Sequence, residues 1–124
     1  MLDTNVKGCF FVIKDAIGNM KAGGAIVNIT SGAAKTGGGF VSIPYSSSKG
    51  AINSFTISVA RDLAPRRIRV NVVSSGFVAS NMLKLNEKPF DYYPDIIPLH
   101  RLGKPEDVAN MVYYLVSDES SFMA

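Results

Sequence analysis

The sequence holds one cysteine and one histidine, Cys9 and His100, and that scarcity removes whole classes of protein. A lone cysteine makes no internal disulfide, and without a Cys/His spacing there is no structural zinc or other metal site to expect. His100 has no nucleophile beside it, so it reads as a loop or helix-entry residue. Long apolar runs are missing as well. None approaches the ~20 residues that cross a bilayer, and no charged segment followed by an apolar stretch opens the chain, so neither a membrane partner nor a signal peptide is expected. Blocks of like charge are absent too: the net charge is only +3. The one basic cluster, Arg66, Arg67 and Arg69, reads as a solvated loop leading into a strand, which argues against a nucleic-acid partner. A reducing, cytoplasmic setting is the expectation that remains.

What is present suits a folded domain. Apolar residues make up 47% of the chain and charged residues 19%, enough to bury a core and too few charges for disorder. Residues 3 to 17 carry Val6, Phe10, Ile13 and Ile17 at near-helical spacing. Gly8 interrupts that helix at about 1 kcal/mol relative to alanine, which points to close packing against another element. Gly18-Asn19 and Gly23-Gly24 mark its stop. "AIVNI" (25 to 29) reads as a strand buried on both faces, the kind found in parallel sheets. The stretch 33 to 42 reads as a loop, and its Gly37-Gly38-Gly39 lacks the spacing and the lysine of a phosphate-binding loop.

A second helix is predicted over 45 to 63, with Ala51, Phe55, Val59 and Leu63 four residues apart and Pro65 ending it. "IRVNVV" (68 to 73) is the second strand, with a turn at Ser74-Ser75-Gly76. Residues 77 to 99 show no sustained period and read as a long loop with at most a short helix. The last helix starts at Pro105, with Glu106 and Asp107 complementing its dipole. Cys9, beside Phe10 and Phe11, reads as a small buried hydrophobe. The order is helix, strand, helix, strand, helix: an α/β arrangement with a parallel pair. Two buried parallel strands leave both sheet edges open, so further strands are implied.

The chemistry concentrates in "PYSSSKG", residues 44 to 50. In a helix, Tyr45 and Lys49 share a face one turn apart. Free tyrosine titrates near pH ~10, too high for efficient proton exchange at neutral pH. A cation about 5 Å away at an effective dielectric near 20 favours the phenolate by roughly 3 kcal/mol, or about two pKa units. That would make Tyr45 a usable general acid or base. Ser31 follows the carboxyl end of the first strand, where open α/β sheets place their sites, and its hydroxyl could orient a substrate oxygen.

Taken in order, "NVKG", "IVNITS", "YSSSKGA", "IRVNVVSSGFVAS" and "RLGKPEDVANMVYYLVSDESS" resemble the later half of the short-chain dehydrogenase/reductase family, over essentially the whole chain. The resemblance implies a partial Rossmann-type, doubly wound parallel sheet, and a parent enzyme that moves a hydride between NAD or NADP and a carbonyl/alcohol pair on a small molecule. In that family a tyrosine exchanges the proton with the substrate oxygen. A lysine lowers its pKa and binds the nicotinamide ribose, and a serine holds the substrate oxygen. Tyr45, Lys49 and Ser31 match these positions. Asn5 matches the asparagine whose backbone helps hold a water in the proton relay. Gly76, Val78 and Ser80 match the stretch that contacts nicotinamide and phosphates, with Ser75 standing where the family usually has proline. Among relatives the flavour resembles 3-oxoacyl carrier-protein reductases and broad alcohol dehydrogenases. The first two long helices resemble those that pair in the family's dimers, so a homo-oligomer, dimer or tetramer, is implied.

No stretch matches the family's glycine-rich dinucleotide fingerprint or its Asn-Asn-Ala-Gly strand. The 124 residues therefore read as about half a domain, without its N-terminal half and last strand. Two other readings stand beside this one: a catalytically inert or partner-binding module, and an epimerase-like relative using the same tyrosine and lysine on a nucleotide sugar.

Overall fold

The two β-branched runs form strands β1 (Ala25–Ser31) and β2 (Arg69–Ser75). They pair in parallel, in register from Ala25 opposite Arg69 to Ser31 opposite Ser75. This is a computed structural model, and it describes residues 1–38, 42–84 and 90–124. Both strands run two residues further than the apolar runs predict, so Ser31 closes β1 rather than following it, and Ser74-Ser75 is ladder rather than turn. The hydroxyl residues can stay because a side-chain bond adds to the ladder: Ser75 Oγ donates to the Thr30 carbonyl at 3.2 Å. The Gly32 amide extends the pairing by donating to the Ser75 carbonyl at 2.9 Å.

Helix α1 (Gly8–Ile17) is preceded by a π-helical turn over Asp3–Lys7. The Gly8 amide closes that turn onto the Asp3 carbonyl. A Cβ at Gly8 would meet only that carbonyl, at an ordinary 3.7 Å. Close packing against another element, expected for this glycine, is therefore not what the described residues require of it. Residues 33 to 42, expected as loop, include a short helix α2 (Ala33–Thr36) ended by left-handed Gly37. Gly39 of the triple glycine lies outside the described residues. The crossover helix α3 (Ile43–Leu63) begins two residues earlier than the sequence predicts. Pro44 sits in its first turn, where a missing N–H costs nothing.

Beyond β2, residues 77 to 99 were expected as loop with at most one short helix. They carry α4 (Asn81–Lys84), a 3-10 turn at Phe90–Tyr92 and α5 (Tyr93–Ile96); 85 to 89 lie outside the described residues. The excursion closes at its base, where Val78 bridges Gly103. The Ala79 amide donates to the Gly103 carbonyl, and the Gly103 amide to the Phe77 carbonyl, each at 2.9 Å. Helix α6 (Pro105–Val116) follows.

Neighbouring strand residues point to opposite faces, and β2 uses this to hold two layers. Val70 joins buried Leu63 and Ile68 in a core completed by Ile17, Met20, Ile26, Val59 and Ala60, on the α3 face. Arg69 points the other way. Its guanidinium donates to the carbonyls of Leu115, Ser117 and Met123 and to Ser120 Oγ, at 2.9 to 3.2 Å. Arg66 reaches the carbonyls of Ile17 and Met20 at 2.8 and 2.9 Å. The expected solvated loop leading into a strand holds for Arg66 and Arg67, exposed at the turn Ala64–Arg66, whereas Arg69 is half-buried in β2; the five-donor forks of Arg66 and Arg69 each serve several carbonyls at once. Burial on both faces does not hold for β1. Asn28 and Thr30 are buried on the α3 side, while Ile29 on the α6 side is 40% exposed.

The first turn of α6 is fixed by Asp107, whose carboxylate accepts from the Lys104 amide and from the Arg101 guanidinium, both at 2.8 Å. These bonds, Arg101's first and the backbone amide's second, hold the Asp107 carboxyl below its ordinary pKa. Because the folded value lies below the unfolded one, the cap stabilises at neutral pH and fades as the pH falls from the ordinary carboxylate range through the lowered value. Hydrogen exchange in the folded protein should show the Lys104 amide protected at pH 6 and unprotected in strong acid. Asp107→Ala should be unprotected throughout.

With two strands and open sheet edges among the described residues, and apolar side chains such as Phe11 and Phe122 exposed, residues 1–124 by themselves have little margin. Whole domains are stable by only about 5–15 kcal/mol, and unpaired edges invite association. Purified alone, this polypeptide should be oligomeric, aggregated or molten, with dye binding and a broad thermal transition. A sedimenting monomer with a sharp, cooperative melt would contradict that.

Candidate active site

Since α3 runs back from the carboxyl end of β1, its first turns stand beside the last residues of that strand. Tyr45 and Lys49 both lie in those turns, half-buried. The Lys49 ammonium is 5.8 Å from the centre of the Tyr45 ring, and it donates to the Ile29 carbonyl at 3.0 Å. That hydrogen bond holds a flexible four-carbon stem in one direction, so the charge stays beside the phenol instead of swinging into solvent. The predicted pair is therefore brought together.

Ser31 sits two residues beyond Ile29 in the same strand. Its Oγ accepts from the Ala33 amide at 3.2 Å, opening α2. A hydroxyl that accepts through one lone pair keeps its own proton to donate. Ser31 makes no hydrogen bond to Tyr45 among the described residues, so the two share the strand end without touching.

Asn5 reaches the same stretch of α3 through Ser48. It lies in the π turn and donates from Nδ2 to Ser48 Oγ at 3.0 Å. Ser48 in turn donates to the Tyr45 carbonyl at 2.7 Å. π turns recur at functional sites because they displace part of the helical ladder. Below this lies a second polar chain: Cys9 Sγ donates to Asn28 Oδ1 at 3.5 Å, and Asn28 Nδ2 donates to Thr56 Oγ1 at 2.9 Å. Cys9, expected as a buried hydrophobe, is half-buried and acts as a donor. Burial pushes its thiol above the ordinary value, and the Lys49 charge opposes this more weakly.

The remaining expected residues follow β2. A Cβ at Gly76 would meet nothing within 4 Å, so the backbone there is open to close approach. Val78 is held by the Gly103 bridge, and Ser80 Oγ accepts from the Leu83 amide at 3.3 Å at the start of α4. Neither is hydrogen-bonded to Tyr45 or Lys49 among the described residues. Ser48 and the Ile29 carbonyl are the parts that sequence reading missed. Serine three residues after Tyr45 could have signalled a back-bond to the helix; nothing in a sequence marks which carbonyl a lysine will find.

With this geometry in hand, comparison with known proteins is decisive. All of residues 1–124 match the family model described as enoyl-(acyl carrier protein) reductase. The 3-oxoacyl-[acyl-carrier-protein] reductase of Aquifex aeolicus is 38% identical over 126 residues, covering 99% of this chain and 50% of its own length. The acetoacetyl-CoA reductase of Cupriavidus necator is 36% identical over 125 residues, covering 98% of this chain and 50% of the relative. A short-chain dehydrogenase/reductase of Brucella melitensis superposes with a TM-score of 0.89 at 36% identity, over 97% of this chain and 49% of that one. A variant short-chain dehydrogenase/reductase of Serratia marcescens gives 0.92 at 32% identity, over 100% and 51%. The chain thus spans about half the length of the relatives it matches. A family-model match from the first residue to the last, together with these superpositions, makes the two-stranded unit part of a Rossmann-type sheet: the chain belongs to the short-chain dehydrogenase/reductase family.

Proposed function

We propose that these residues form the proton-transfer half of an oxidoreductase that interconverts a carbonyl and an alcohol. The observation that carries this reading is Lys49, bonded to the Ile29 carbonyl with its charge 5.8 Å from the Tyr45 ring. A phenol held beside a fixed cation at the carboxyl end of a parallel strand is placed to give up or take a proton. In the reductive direction the Tyr45 hydroxyl gives its proton to the substrate oxygen, and the Lys49 ammonium offsets the charge left on the phenolate. The Ser31 hydroxyl donates to the same substrate oxygen and orients it. Asn5, in the π turn, supports the water that returns a proton through Lys49.

A nicotinamide dinucleotide, NAD or NADP, fits the residues present. The Lys49 ammonium suits ribose hydroxyls, the open backbone at Gly76 admits a flat ring, and Val78 and Ser80 offer an apolar and a hydroxyl contact beyond it. When bound, that group supplies or accepts the hydride. Solved relatives carry it: one structure is described with NADPH bound and another with bound NADP. For the substrate, the names of the Aquifex and Cupriavidus relatives point to 3-oxoacyl thioesters as the first class to assay.

In the full-length enzyme, Tyr45→Phe should lower kcat by at least about a hundredfold, the lower end of a general acid/base contribution. Lys49→Ala should lower kcat and also weaken cofactor binding, because one ammonium serves both tasks. Unchanged cofactor affinity in Lys49→Ala would show the ribose contact to be misassigned.

A second role for the same helices is favoured by a largely apolar groove between the π turn, α1 and α3, lined by Val6, Phe10, Phe11, Ile52 and Phe55 together with Lys7. Phe11 is 54% exposed there, and the face fits a second copy of the chain, as the homo-oligomeric relatives implied by the family resemblance would require. Phe11→Asp should shift the full-length protein to a smaller species by sedimentation. An unchanged oligomeric state would remove the groove from the interface.

A further inference from the structure

We infer that Ser48 is a positioning residue for proton delivery, locking the Asn5 turn to the Tyr45–Lys49 turn; this rests on the oxidoreductase reading above. Ser48 is 0% exposed, next to Lys49 in sequence and three residues after Tyr45. Its hydroxyl has one proton and two lone pairs. The 2.7 Å contact is with the Tyr45 carbonyl, which can only accept, so the proton is spent there. The 3.0 Å contact with Asn5 must then run from the Asn5 amide into a Ser48 lone pair. One buried hydroxyl therefore fixes which way the Asn5 amide faces and ties it to the backbone of the residue that carries the phenol.

The need for such a tie follows from the π turn. An inserted residue offsets the helical ladder and weakens what holds the turn in place, so its register against α3 must come from tertiary bonds. Asn5 to Ser48 is the side-chain hydrogen bond that joins the turn to α3 among the described residues. Without it the Asn5 backbone can drift relative to Lys49, and displacements of about 1 Å in a reacting array cost up to a hundredfold in rate. Ser48 touches no substrate. It acts through Asn5.

The test is made on the full-length enzyme with Ser48→Ala, which keeps the volume close and removes both bonds. The expected result is a kcat lowered roughly tenfold, an increased solvent deuterium isotope effect on kcat, and unchanged cofactor affinity. The double variant with Asn5→Ala should be no worse than Asn5→Ala alone, since both remove one connection. Independently of turnover, the Asn5 side-chain amide resonances should lose their exchange protection in Ser48→Ala. If Ser48→Ala does not fold, Ser48→Cys, with a weaker thiol donor, should give a smaller drop in kcat and a correspondingly smaller rise in the isotope effect. Unchanged kcat, strictly additive losses in the double variant, or a still-protected Asn5 amide would overturn the proposal while a dead Tyr45→Phe left the oxidoreductase reading intact. Full turnover by Tyr45→Phe would overturn both.

Discussion

Parallel strands cannot be joined by a tight turn, because the chain must travel back the full length of the strand before the next can begin. Between Ser31 and Arg69 that return is made by α3, and the rest of the structure depends on it. The register that sets Ser31 opposite Ser75 brings both strand ends level. The return helix must then start beside those ends, so whatever its first turns carry is delivered to the strand termini. Tyr45 and Lys49 are there because topology leaves the start of α3 no other place. The Lys49 bond to the Ile29 carbonyl completes the link, turning a helix-face spacing into a fixed position relative to the sheet.

The long elements were readable because each carries a strong local signal. Two β-branched runs, the four-residue apolar repeat from Ala51 to Leu63 and the Pro105 start of α6 agree with the strands and helices found. Their ends were less readable. Apolar runs stop at Ile29 and Val73, whereas backbone pairing continues through Thr30 to Ser31 and Ser74 to Ser75, because ladder hydrogen bonds are indifferent to hydrophobicity. The Tyr45–Lys49 pair was legible from helical geometry alone. Asn5's partner was not, since Ser48 lies 43 positions away and long-range hydroxyl contacts leave no period. Arg69 misled for a related reason: beside Arg66 and Arg67 it reads as surface charge, and the end of α6 folding beside it supplies the carbonyls that leave it half-buried.

Polar groups carry an unusual share of the interior. Asn28, Thr30, Ser46, Ser48 and Thr56 are all buried, where a larger apolar core would place aliphatic side chains. Most are satisfied: Cys9, Asn28, Thr56 and the Ile52 carbonyl form one continuous chain from α1 through β1 into α3. Breaking it at Asn28 would strand the bonded groups, at a cost of about 1–3 kcal/mol for each one left buried. Such a chain is directional where apolar packing is not. It ties the middle of α3, at Ile52 and Thr56, to Asn28 of β1.

The clasp at Val78 and Gly103 has a consequence for how this fold can diversify. Its two backbone hydrogen bonds bring the ends of the excursion after β2 together before the chain enters α6. Among the described residues, this neck carries the backbone pairing, and Arg101 beside it bonds to Asp107 in the first turn of α6. Lengthening a loop whose ends are already joined costs about 0.6 kcal/mol per doubling, and the added residues pull on neither neighbour. Tyr45, Lys49 and Ser31 lie on the other side of that neck, on β1 and α3. Insertions after Ser80 and before Arg101 can thus lengthen the excursion while those three residues, on β1 and α3, keep their places.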